Sequence, residues 1–103
     1  MSDTTTTIIV KDIIQSKIAF DAEDGNKVFD EILKKSRENY DVIYLNFKGI
    51  DLINTAFLNN AVGKLFDTQL FNLKENKVLI QNMDSNKLEL LKETISVARK
   101  KYM

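Results

Sequence analysis

The sequence predicts an α/β fold, a small mixed sheet of about four strands in the order β-β-α-β-α-β-α with helices packed on the sheet. Short apolar or β-branched runs bounded by charged residues recur around Ile8, Ile18, Val42 and Val78. Between the later runs, apolar residues return every three or four positions, the period of a helix with one buried face. The step from 41–47 to 77–83 is long enough for a right-handed parallel crossover.

The elements follow in order. Residues 1–7 form a polar, disordered lead, and 8–103 form a single domain. Ile8-Ile9-Val10 with Ile13-Ile14, then Ile18-Ala19-Phe20, predict strands over 6–12 and 16–20, paired as a hairpin around Ile14-Gln15-Ser16. The acidic group Asp21, Glu23 and Asp24 opens a helix over 24–38, with Val28, Phe29, Ile32 and Leu33 as its buried face. Asp41 to Phe47 is a mostly apolar run, expected as a central strand covered on both sides. Lys48 to Asp51 is a loop with a glycine. The next helix begins near Asn54 or Thr55, either of which can cap it. Leu58, Ala61, Val62, Leu65 and Phe66 carry its apolar face, and Gly63 within it implies close packing on the sheet. After a connector over 70–76 comes a strand over 77–83. Asp84-Ser85 then caps a final helix with Leu88, Leu91, Ile95, Ala98 and Tyr102 on one side.

Composition excludes much chemistry. The 103 residues amount to one domain's worth of chain, 44% hydrophobic and 29% charged. Fifteen basic residues balance 15 acidic ones, so no net basic field attracts nucleic acid. There is no histidine and no cysteine. That removes the commonest metal ligands, disulfides, and Ser-His-Asp or Cys-His nucleophiles. The expectation is a non-enzymatic domain without metal or cofactor. No apolar run approaches the roughly 20 residues of a membrane helix, and the start lacks a signal-like pattern. A cytoplasmic location is expected.

The informative stretch is 42–66, V-I-Y-L-N-F-K-G-I-D-L-I-N-T-A-F-L-N-N-A-V-G-K-L-F. Leu45, Phe47, Gly49 and Ile50 match a strand ending in L-D-F-x-G-V. Thr55, Phe57, Leu58, Asn59, Ala61, Val62, Gly63 and Leu65 match a following helix that opens F-L-N-x-A-I-G-x-L. Over about residues 17–83 the chain resembles the bacterial STAS-like domains of unknown function and, more distantly, the anti-sigma factor antagonists. That resemblance implies a regulatory protein-binding module. Its partner would be a histidine-kinase-like ATPase or an anti-sigma-like regulator, docked through 48–60. The antagonists carry a phosphoacceptor serine in D-S-S-G at the helix start. This chain has Asn54-Thr55-Ala56-Phe57, which places Ala56 at the acceptor position and leaves Thr55 as the adjacent hydroxyl.

Asn54, Thr55, Phe57, Asn59 and Asn60 are therefore the candidate partner-binding residues, and Thr55 the candidate phosphoacceptor. Structural roles stand beside these: Asn54 and Thr55 as caps, Phe57 as core. Two asparagines inside a helix are poor for propensity, which favours a functional role for Asn59 and Asn60. The alternative function is a nucleotide or small-ligand sensor holding an anion at the same helix N-terminus.

Overall fold

The computed structural model describes residues 4–73 and 76–102. In chain order the elements are β1 Thr5–Ile9, α1 Val10–Ile14, β2 Ile18–Ala19, α2 Ala22–Arg37, β3 Val42–Asn46, β4 Leu52–Ile53 and α3 Thr55–Ala61. A 3₁₀ turn Gly63–Phe66, β5 Lys77–Gln81 and α4 Ser85–Tyr102 complete the order. The domain is α/β with parallel strands, and β3 joins β5 by the expected parallel crossover.

The sheet differs from expectation. Among the described residues, five strands form two sheets, not four strands in one mixed sheet: β1-β3-β5, and a separate β2-β4 pair. Every pairing is parallel, and no hairpin joins the first two strands. The cause lies in residues 10–14. Their β-branched side chains suggest a strand, but Val10 and Ile14 stand four apart, on one helical face. As helix α1 they bury that face, Val10 to 0% and Ile14 to 7% exposure. Packing overrides propensity here. Gln15 ends α1 in the left-handed region at φ 55, its N–H donating to the Lys11 carbonyl.

Thr5 to Thr7, expected in a disordered lead, lie in β1. Thr4 anchors them: its hydroxyl donates to the Asn39 carbonyl at 2.9 Å, and its own carbonyl accepts from Asp41 N–H at 2.9 Å. Residues 1–3 of that lead, and 74–75 of the expected connector, lie outside the described residues.

The helices cover one face of the three-stranded sheet. Ile8, Ile43 and Leu45 are buried there, with Val78 and Ile80 packed against them. On the other face Val42, Tyr44 and Asn46 are half-buried and Leu79 is exposed, so β3 is not covered on both sides.

Helix α2 buries Val28, Phe29 and Ile32, as its period predicts. It crosses α3 closely at Gly25. A Cβ there would lie 2.5 Å from the Phe57 carbonyl oxygen and 2.9 Å from Asn60 Cβ. Only a glycine admits that approach. Helix α3 is shorter than its apolar period suggests: it stops at Ala61, and Gly63 to Phe66 tighten into the 3₁₀ turn. Gly63 packs against α4, not the sheet, with Ala98 Cβ and Thr94 Cγ2 each 3.8 Å from where its Cβ would be. The buried stripe of α4 is Leu91, Thr94 and Ala98. Leu88, expected on that stripe, is exposed, and Ile95 is half-buried. Asp84 caps α4, its Oδ1 accepting Lys87 N–H at 2.9 Å.

Candidate functional site

The chain leaves β3 through Phe47, which is buried, and turns at Lys48-Gly49. Asn46 sets this turn. Its Oδ1 accepts Lys48 N–H at 2.8 Å and the Asn82 side-chain amide at 2.9 Å. The L-D-F-x-G-V pattern has aspartate at this position, whose carboxylate accepts hydrogen bonds as the Asn46 Oδ1 does. Gly49 adopts φ 84, and Ile50 N–H closes the turn on the Phe47 carbonyl at 3.1 Å. A side chain at that φ is strained.

Strand β4 then pairs with β2. Ile18 stands opposite Leu52, and Ala19 opposite Ile53. Side chains alternate along a strand, so Ala19 and Ile53 face inward, and both are buried. Ile18 and Leu52 face outward, and Phe20 follows Ile18 by the same alternation. All three are exposed, at 46%, 51% and 43%.

Asn54 is the cap of α3. Its Oδ1 accepts Phe57 N–H at 3.0 Å and its carbonyl accepts Leu58 N–H at 3.1 Å. Its own N–H donates to the Ala19 carbonyl at 3.2 Å, which ties the helix start to β2. Thr55, Ala56 and Asn59 are exposed on α3. Thr55 and Asn59 stand four apart and share one face.

Of the five candidate residues, Thr55 and Asn59 lie on the open surface. Phe57 does not. It is 0% exposed, packed in the core where α3 meets α2, and cannot serve as a partner anchor. The F-L pair of the motif is the inward face of a helix squeezed between α2 and α4. Asn60 is half-buried, and its amide donates to the Ala22 carbonyl at 3.1 Å. That bond fastens the first turn of α2 to α3. Asn60 and Asn54 are thus engaged within the domain.

The sequence reading missed Ile18, Phe20 and Leu52. The outward alternation Ile18, Phe20 was visible, but a hairpin reading paired it with the wrong strand. Only the β2-β4 pairing brings Leu52 beside Ile18. A cleft of 330 Å³ adjoins Leu52, lined by Asp51, Ile53, Asp84, Asn86, Lys87 and Leu90. In it the Lys87 ammonium bonds Asp84 Oδ2 at 2.7 Å and holds that carboxyl below its ordinary pKa.

Among the described residues, no group of three or more His, Cys, Asp or Glu is placed to hold a metal ion. No described helix is long and apolar enough to cross a membrane. The acidic group at 21–24 belongs to the start of α2, where acids suit the helix dipole.

Neither the curated proteins nor the solved structures contain a match to the chain. One family model does match, over residues 24–88, a span that begins in α2 and takes in β3, β4, α3, β5 and the start of α4. On that match, which covers more than half of its length, the chain belongs to the family described as the STAS-like domain of unknown function.

Proposed function

We propose that this domain is a non-enzymatic regulatory module that docks a protein partner through β2, β4 and the outer side of α3. The observation that carries the reading is the cluster of Ile18, Phe20 and Leu52, three large apolar side chains exposed together beside the helix start. Such clusters are typical of docking surfaces. Each is about half-exposed, so removing the rest of one such side chain from water contributes about 0.7–1.5 kcal/mol, and three together can anchor an interface. Thr55 is exposed at the start of α3, which the Asn54 N–H ties to β2 beside the cluster. The likeness to anti-sigma factor antagonists supports a histidine-kinase-like ATPase or anti-sigma-like regulator as the partner, and a cytoplasmic setting. A phosphate on Thr55 would add nearly two negative charges beside the apolar cluster, and the desolvation cost would release the partner.

The alternative, an anion held by the α3 N-terminus, has less support. The helix has seven residues, and Asn54 already takes one of its free N–H groups.

A photocrosslinking amino acid placed at position 52, and separately at Lys92 on the polar side of α4, tests the docking surface in cells of the source organism. The expected result is a discrete protein adduct from position 52 and none from position 92. Adducts of equal yield from both positions, or from neither, would refute the assignment.

A further inference from the structure

A second cleft lies away from the β2-β4 surface, where α3 and the 3₁₀ turn meet the last turns of α4. It has a volume of 220 Å³ and is lined by Asn59, Asn60, Lys64, Val97, Lys101 and Tyr102 above a floor of Gly63 and Ala98. No carboxylate side chain of the described residues lines it. Neither lysine has an ion-pair partner among the described residues.

Lys64 is the unusual member. Lys64 is half-buried, yet it forms no ion pair among the described residues. It donates to Asn26 Oδ1 at 2.5 Å and stands 5.4 Å from the centre of the Phe29 ring. A cation drawn out of water normally gains a counter-ion. Lys101 brings a second ammonium, 5.2 Å from the Tyr102 ring centre. Asn59 adds an exposed amide, and Val97, 60% exposed, adds an apolar wall. Two positive charges, amide donors and an apolar side together match a dianion on a carbon stem.

We propose that this cleft binds a phosphate monoester. The phosphate oxygens would accept from the Lys64 and Lys101 ammoniums and the Asn59 amide, and the organic stem would lie against Val97 and Tyr102. The cleft has room for a phosphate with an organic stem. The inference is independent of the partner surface. It also gives Asn59 a role that helix propensity argues against.

The test is a titration of the full chain with phenyl phosphate, followed by amide NMR, with phenol and inorganic phosphate as comparisons. The expected result is saturable shifts at Asn59, Asn60, Gly63 and Ala98 with a dissociation constant of about 1 mM or lower. Lys101→Ala should weaken binding about fivefold, and Lys64→Met likewise. Lys100→Ala removes the same charge outside the cleft and should change binding by less than about twofold. Lys101 is exposed, so that variant keeps the fold even if the Lys64 variant does not. Shifts that do not saturate, equal weakening by Lys100→Ala, or equal response to phenol would overturn the proposal.

Discussion

Gly25→Ala tests the packing that sets the position of α3. A methyl group at Gly25 would meet the Phe57 carbonyl oxygen at 2.5 Å, Asn60 Cβ at 2.9 Å and Ala61 N at 3.2 Å. Ordinary contact needs roughly 3.5 Å, so α3 must retreat by roughly 1 Å. The obstacle is backbone, so no side-chain rotation relieves it. Retreat loosens Phe57, Leu58 and Ala61 from Val28 and Phe29, all buried in one core. Overpacking costs about 1–3 kcal/mol, and a backbone clash belongs at the upper end. Alanine returns about 1 kcal/mol in helix propensity. The net loss is about 2 kcal/mol, a fall of roughly 10 °C in Tm for a domain this size. Urea unfolding followed by circular dichroism reads it directly, with Gly63→Ala as the comparison. At Gly63 the nearest atoms are 3.8 Å away and alanine fits, so that variant should stay within about 0.5 kcal/mol of the parent. A Gly25→Ala protein as stable as the parent would refute the close α2-α3 crossing.

Other predictions follow from single groups. Thr94 is 2% exposed and its hydroxyl has no hydrogen-bond partner among the described residues, so Thr94→Val should stabilise by about 1 kcal/mol in the same urea assay. Asn54→Ala removes the α3 cap and should cost about 1 kcal/mol, with Asn54→Asp retaining most of it. The Asp84 carboxyl is held low, first by its side-chain bond to Lys87. Its contribution is therefore present above about pH 4, the unfolded carboxylate value, and lost as pH falls through the lower folded value. A carbon-detected NMR titration should show Asp84 titrating below free aspartate, and Lys87→Met should raise it toward the ordinary value.

How much the sequence revealed depended on how local each signal was. The period of Val28, Phe29 and Ile32, the apolar run at 42–46 and the Asp84 cap are local patterns, and each appears where expected. The first twenty residues were misread because β-branched side chains suit a strand, while α1 exists to bury Val10 and Ile14 against the rest of the core. That error propagated. A hairpin makes β2 the neighbour of β1, whereas β2 pairs with β4, more than thirty residues on. The apolar cluster was hidden for the same reason, since Ile18 and Leu52 meet only through that long-range pairing. At α3 the motif located the helix start correctly but not its orientation. Phe57 points inward because α2 passes on that side, which nothing within 54–60 discloses.

The central claim is that Ile18, Phe20 and Leu52 anchor a protein partner. Its most direct measurement is a quantitative affinity enrichment from cells of the source organism, comparing the parent with Leu52→Lys. Leu52 is 51% exposed, so the substitution leaves the core intact and should change stability by less than about 0.5 kcal/mol. The account predicts a partner recovered with the parent and depleted at least about tenfold with the variant, because the substitution removes a half-exposed apolar anchor and places a charge that the interface must desolvate. Equal recovery of that partner by a folded Leu52→Lys protein would contradict it.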